Sequence, residues 1–382
     1  MEVIFLLGAA QAFFLAVLVF NKKGKSHGDF VLGSWLGFMG LHLLNYYLFS
    51  TGFLFKHPHL LGIGSGFPML EAPFMFIYVL LMIKKNGRFK TKYLLHGIPF
   101  LAYTVFLMFD FYFLSASEKL AYYEQIYIKL PLDLWIASFP NILIGPVYVI
   151  LSLILLSRHS RNIANSFSYT EQINLKWLRN VIGGLGFVFL VVIVSNVLVR
   201  FPFLSVEMHE HLIYLTISIA VFFLGYFGIK QQAIYKSDPF QLVETATLPP
   251  KQRKKKARQY LHSGLKQQEA EVHVAVLKDY FEKEKPFLDG KLSLGDVAEF
   301  MNISVNHLSQ VINEQLGMTF FDFVNSFRVD EVKARLSSPD VKNFTLLGIA
   351  YDSGFNSKSS FNSIFKKFTG LTPSQFAKEK TT

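Results

Sequence analysis

The sequence predicts an all-α chain in two parts: a seven-helix transmembrane bundle, followed by a smaller domain with two helix-turn-helix units. Three observations predict it. Seven apolar stretches fill the first 230 residues, none occurs after Ile229, and a pattern of paired short helices appears twice in the last hundred or so residues. Composition agrees: 51% of the 382 residues are hydrophobic, 41 are Phe and only 17% are charged, too apolar for a water-soluble domain of this length.

The apolar runs are Val3 to Phe20, Phe30 to Ser50, Phe67 to Ile83, Tyr93 to Leu114, Leu134 to Leu156, Val181 to Arg200 and His211 to Gly228. Each approaches or exceeds the roughly 18 residues needed to cross about 30 Å of hydrocarbon. Loops after the first, third and fifth runs carry Lys22, Lys23, Lys25, Lys84, Lys85, Arg88, Lys90, Lys92, Arg158, Arg161, Lys176 and Arg179. The opposite loops hold only Lys56, Lys119, Lys129 and Arg200. Because basic loops stay inside, the N-terminus is expected outside and the C-terminal domain in the cytoplasm of a bacterial inner membrane. The first run is expected to be a retained anchor, because Met1 and Glu2 give no positive n-region and the cluster NKKGK follows the run.

Residues 230–267 form a polar, basic linker containing Pro249, Pro250 and the run Lys251 to Arg258. Such a run suits anionic lipid head groups or DNA phosphates, and equally a solvated stop-transfer flank. The chain has no Cys, which excludes disulfides, thiolate catalysis and Cys-ligated metal.

In residues 268–382, an amphipathic helix is expected over Glu269 to Glu284, with Val272, Val276 and Tyr280 on its stripe and Leu277 and Phe281 beside them. Ser293-x-x-Asp296 has the capping-box pattern and opens a helix burying Leu294, Val297, Ala298 and Met301. After a turn at Asn302 and Ile303, Ser304 caps a second helix through Leu308, Val311, Ile312 and Leu316, which stops at Gly317. The plan returns about 52 residues later. Thr345 caps LLGIAYDSG, a turn one residue longer runs through Phe355 and Asn356, and SSFNSIFKKF precedes Gly370. Val297 and Ala298 then match Ile349 and Ala350, Leu308 matches Phe361, and Ile312 matches Phe365. An internal repeat of this kind is the mark of a duplicated unit.

On the strength of FDFVNSFRVDEVKARL (Phe321 to Leu336), IAYDSGFNSKSSFNSIFKK (Ile349 to Lys367) and the terminal GLTPSQF, the segment from Leu294 to Lys378 resembles the DNA-binding domain of AraC/XylS-type transcription regulators. The resemblance implies an AraC-type domain, two helix-turn-helix units joined by a long helix, with double-stranded DNA as partner. It implies base-edge positions at Asn306 and Gln310 in the first unit and at Lys358, Ser359 and Asn362 in the second. Asn and Gln suit adenine N6 and N7, and Lys suits guanine O6 and N7. Lys366 and Lys367 fit phosphate better than base. Arg328 fits a phosphate contact, an ion pair with Asp330 or Glu331, or a link between the two units. Net charge is +6 over Met1 to Ile229 and +5 over the remainder, so affinity independent of sequence is expected to be modest.

Polar residues inside apolar runs indicate function, because an ionisable group at mid-bilayer is costly. Asn45, Glu71, Asp110, Asn141 and Asn196 all fall in the outer parts of their runs, and Pro68, Pro73, Pro140 and Pro146 can break the helices nearby. They are expected to line a cavity for a small ligand; hydrogen bonding between helices is the competing reading. In each of the pairs His57 with His59 and His209 with His211 the two residues sit at i and i+2, which do not share a helix face, so no metal is assigned. No catalytic arrangement, phosphate-binding glycine loop or cofactor motif is present, and no enzyme is expected. The expected function is a membrane-anchored DNA-binding regulator coupling an outside or intramembrane signal to gene expression, with a second copy of the chain as a further candidate partner. The alternative is a transporter-like or scaffold membrane protein with a DNA-tethering tail.

Overall fold

A computed structural model describes residues 2–84, 87–128, 139–169, 175–201, 203–231, 267–338 and 344–381. Nearly all of the basic linker read from the sequence therefore lies outside the described residues. The chain divides into two compact units, one comprising Met1–Arg158 with Leu175–Lys236, the other His159–Asn174 with Ser237–Thr382. Among the described residues there is no strand, apart from an isolated antiparallel bridge between Phe167 and Ser293.

The first unit begins with α1 (Glu2–Phe20) and α2 (His27–Ser50). A capping box opens α2: the Ser26 hydroxyl accepts from Asp29 N at 3.0 Å, while the Asp29 carboxylate accepts from Ser26 N at 2.8 Å. Then follow α3 (Phe53–Lys56), α4 (Pro68–Met82), α5 (Ile98–Leu107), α6 (Ala116–Ile128), α7 (Phe139–Ser166), α8 (Lys176–Arg200) and α9 (Val206–Gln231). Leu15, Trp35, Met39, Leu43, Met75, Val79, Ile182 and Val221, from α1, α2, α4, α8 and α9, share one core.

Among the described residues, six helical stretches are long and apolar enough to cross a membrane: Glu2–Asn21, Pro58–Met82, Thr91–Tyr112, Phe139–Ser166, Lys176–Arg200 and Val206–Leu224. Of the seven expected runs, Phe30 to Ser50 is not among these stretches, although it forms the helix α2. It is a helix of 24 residues, but Asp29, Ser34, His42, Asn45 and two Tyr lower its hydropathy. Trp35, His42, Leu43 and Tyr46 on it are nevertheless buried, so its polar groups face protein. Two segments expected as plain loops are partly helical as well. Leu54 and Leu61 from one pack with Leu107 and Phe111, and Leu120, Tyr122 and Tyr123 of α6 lie against this small cluster.

The second unit holds α10 (Gln267–Glu284), α11 (Leu294–Phe300), α12 (Val305–Gln310), α13 (Phe320–Leu336), α14 (Leu346–Asp352), α15 (Lys358–Thr369) and α16 (Pro373–Thr381). Two cores flank α13. Leu277, Phe281, Leu294, Val297, Leu308 and Ile312 pack with Phe320, Phe323 and Val324; Ile349, Phe355, Phe361 and Phe365 pack with Val329 and Val332. The inward stripe of α10 differs from the sequence expectation, since Leu277 and Phe281 are fully buried while Val272 and Val276 are exposed. Two aromatic-sized contacts decide that rotation: Phe281 meets Phe323 at 4.8 Å and Phe327 at 5.1 Å between ring centres, burial that two valines cannot match.

Candidate functional site

The two short helix pairs, α11 with α12 and α14 with α15, repeat down to single hydrogen bonds. Ser293 and Thr345 cap their first helices through Asp296 N and Gly348 N. Ile303 N donates to Ala298 O at 3.0 Å in the first turn, and Phe355 N donates to Ala350 O at 3.0 Å in the second. The left-handed corner falls at Asn302 (φ 51) in one and Gly354 (φ 89) in the other. Ser304 and Ser357 then cap the second helices, accepting from His307 N and Ser360 N. Gly317 and Gly370, both at positive φ, end the two repeats.

These caps fix which side chains face outward. On α12, Asn306 is exposed and Gln310 half-buried; Gln310 donates its amide to Glu314 at 2.9 Å. On α15, Lys358 and Ser359 are exposed, as is Asn362 about one turn further on, with Phe361 and Phe365 buried. Lys366 and Lys367 are exposed at the end of α15, and Lys367 pairs with Asp322 of α13. Glu314 was not singled out from the sequence. Its spacing of four from Gln310 on one helix was the available signal.

Arg328 lies elsewhere. It is 1% exposed, so it cannot meet a phosphate, and that expectation is corrected. Its Nε donates to Phe287 O at 2.8 Å and its Nη2 to Asp289 O at 2.8 Å, tying α13 to the segment that leads into the first pair. Gly354, from the second pair's turn, lies against the same Phe287 carbonyl and the Arg328 Nε. Asn356 donates to Gly290 O at 2.5 Å beside it. Burial lowers the guanidinium pKa to about 10, an effect the Asp289 carboxylate opposes, and the group stays charged at neutral pH. Its charge is met by carbonyl dipoles, as a buried cation requires.

Residues 297–379 match the family model of a helix-turn-helix domain. The C-terminal domain is of the AraC type. The chain is 39% identical over 85 residues to an uncharacterised HTH-type transcriptional regulator of Staphylococcus aureus (strain COL), covering 22% of this chain and 11% of that protein. It is 32% identical over 90 residues to the melibiose operon regulatory protein of Escherichia coli (strain K12), covering 24% of this chain and 29% of that protein. The chain thus spans 11% and 29% of the length of these curated relatives. No solved structure matches it significantly. What is matched is the C-terminal domain alone, and the relatives that match it are named as regulators.

Away from that domain, the first unit contains a partly open cavity of about 330 Å³. Glu71, Asn141 and Asn196 line it, together with Trp35, Met75 and Phe189. Asn45 and Asp110, expected in the same place, do not: Asn45 lies against Gly64, and Asp110 is exposed, accepting from Tyr122 at 3.5 Å. The π-helical turn Met108–Tyr112 at the end of α5 carries Asp110. In the cavity wall, His42 Nδ1 is 2.7 Å from Glu71 Oε1 and His42 Nε2 is 3.0 Å from the Tyr214 hydroxyl, joining α4, α2 and α9 in one polar chain. Tyr214 stacks on Tyr46 with ring centres 3.6 Å apart. His42 was missed in the sequence, where a single His in an apolar run has no period to mark it. The amide oxygen of Asn141 is buried with no hydrogen-bond partner. The lining holds the carboxylates of Glu71 and Glu210 and no Lys or Arg.

Proposed function

We propose that this chain is a membrane-anchored, sequence-specific transcription regulator that couples a small ligand, held among the helices of its first unit, to DNA binding by its C-terminal domain. The observation that carries the DNA half is the backbone repeat: two capped helix pairs, each presenting polar side chains from the first turns of its second helix. In this reading both pairs are helix-turn-helix units, and Asn306, Gln310, Lys358, Ser359 and Asn362 read base edges in successive major grooves. Lys366 and Lys367 meet phosphate.

Six apolar helices support the anchor. With α2, whose buried side chains face protein, counted as a seventh span, the basic loops favour an outside N-terminus and an AraC-type domain in the cytoplasm of a bacterial inner membrane. The cavity supports the ligand. An apolar lining with two carboxylates, two His and an unpartnered amide oxygen favours a small amphipathic molecule that is neutral or cationic and donates hydrogen bonds.

The test is selection of duplexes from a randomised pool by the full chain, followed by footprinting. The expected footprint covers two successive major-groove faces about one helical turn, roughly 34 Å, apart. A footprint confined to one face of about 4 to 5 base pairs would overturn the two-unit reading.

A further inference from the structure

The second unit contains a segment distant in sequence from the rest of it. Residues 159–174, which comprise the last turns of α7 and most of its connection to α8, belong to the same compact unit as the AraC-type domain. Within that unit Ile163, Phe167 and Ser168 are 1%, 2% and 1% exposed. Ser168 occupies the place where Arg328 joins the two helix pairs. Its carbonyl accepts from Arg328 Nη1 at 3.0 Å and from Asn325 Nδ2 at 3.2 Å, and its hydroxyl accepts from Arg328 Nη2 at 3.0 Å. Its own N–H and hydroxyl donate to Leu292 O, at 3.2 and 2.6 Å. Phe167 forms an antiparallel bridge with Ser293, the residue that caps α11.

We propose that residues 163–169 are an internal docking segment for the junction between the two helix pairs, holding them in the relative orientation that lets both contact DNA together. The chemistry is specific. Arg328 donates to Phe287 O, to Asp289 O and, at 3.3 Å, to Asn325 Oδ1, and twice to Ser168, so two of its five hydrogen bonds form only when the segment is seated. Asn325, also fully buried, divides its amide between Phe321 O and Ser168 O. A seated segment therefore stiffens the one point shared by α13, the lead into the first pair and the turn of the second. A preset orientation spares the DNA complex the entropy of aligning two recognition helices, and its loss is felt most where both must bind.

The segment is also connected to the cavity by a single helix. α7 runs from Phe139 to Ser166, carries Asn141 and Ile142 of the cavity lining in its first turn, and ends one residue before Phe167. A ligand that shifts α7 thereby acts on the docking segment directly; this last step rests on the sensing function proposed above, whereas the docking itself does not.

The chain has no Cys, so an introduced pair reports without interference. Extending the register of the isolated Phe167–Ser293 bridge by two residues sets position 169 across from position 291, which is where a cysteine pair tests the docking. The full chain carrying Tyr169→Cys and Lys291→Cys should form that disulfide on oxidation and retain its affinity for a duplex selected by the wild-type chain. Full-length Phe167→Asp should raise hydrogen exchange at Asn325 to Arg328 while leaving the slow amides around Leu277 and Phe281 protected. Its affinity for the selected duplex should fall about tenfold, and for the same duplex with one half scrambled by less than about twofold. Failure of the disulfide to form, equal losses on both duplexes, or a tenfold weakening on oxidation would each overturn the proposal. Absence of any duplex selected by the wild-type chain would instead count against the DNA-reading function, while the disulfide and exchange results would still decide the docking.

Discussion

Gly354 and Gly370 sit at nearly the same backbone angle, φ 89 and φ 78, yet the structure assigns them very different tolerance to a methyl group. At Gly370 a Cβ would meet nothing within 4 Å. Gly370→Ala should therefore show only the left-handed penalty of roughly 1 to 2 kcal/mol. At Gly354 a Cβ would collide with Phe287 O and come within 2.9 Å of Arg328 Nε and 3.1 Å of Leu288 O. Those atoms cannot retreat, because the Phe287 carbonyl accepts from Arg328 at 2.8 Å. Overpacking of that kind adds roughly 1 to 3 kcal/mol, so Gly354→Ala should lose about 2 to 5 kcal/mol in all.

Hydrogen exchange of the full-length variants measures this locally, without requiring the first unit to unfold. The slowest amides of α10 and α13 should exchange about tenfold faster in Gly370→Ala and roughly a hundredfold or more faster in Gly354→Ala, since each 1.4 kcal/mol is a factor of ten. Equal acceleration in the two variants would refute the claim that the Arg328 junction is a close-packed, unyielding contact. So would a Gly354→Ala chain in which the α10 amides exchange as slowly as in the wild type.

Other expectations are briefer. Gln310→Ala and Asn362→Ala should each relax base preference in one half of the selected site, whereas Lys366→Ala should weaken binding to all sequences and reduce the salt slope by about one; binding isotherms across salt, on matched and mismatched duplexes, separate the two. Glu331 accepts from Lys285 and Arg335, both at 2.9 Å, and these bonds outweigh burial to hold its carboxyl below the ordinary 4.5. Its share of stability is thus complete above that value and fades as the pH falls through the lowered one, so Glu331→Gln should flatten the acid limb of an unfolding-midpoint profile taken down to about pH 3. Glu71→Gln removes the carboxylate from the His42–Tyr214 chain and should abolish or shift the response of a reporter to its inducing conditions while DNA binding by the protein persists; unchanged response in a chain also substituted at Asn141 and Asn196 would leave these residues as glue between helices.

The sequence disclosed what depends on local rules. Caps at Ser293, Ser304 and Thr345, stops at Gly317 and Gly370, and the alternation of Phe361 and Phe365 with Asn362 are all written at fixed short spacing, and the structure shows each of these helices. What depends on contacts between distant residues was less legible. The inward face of α10 turned on aromatic partners in α13, which no periodicity within α10 encodes. A polar helix such as α2 fails an apolarity count because its His42 and Asp29 find partners 29 residues away and in its own cap. Arg328 looked as suited to phosphate as to protein, because burial is not written in a charged side chain. For the segment at Phe167 the only hint was a pair of aromatic residues in the otherwise polar run RNIANSFSYTEQIN.

The small size of the Ser168 contact matters to how such a chain can be regulated. A ligand shifts an equilibrium only by its differential affinity for two states, and coupling between distant sites typically amounts to 1 to 3 kcal/mol, or 5- to 150-fold. Were DNA binding governed through the cores around Phe281 or Phe365, the off state would require unfolding the domain, far beyond that range. Five hydrogen bonds at one serine and the burial of Phe167 and Ile163 form a contact whose loss leaves both cores intact. The affinity change on undocking then bounds the largest response the protein can give: if Phe167→Asp alters binding about tenfold, no ligand acting through this segment can induce more than about tenfold.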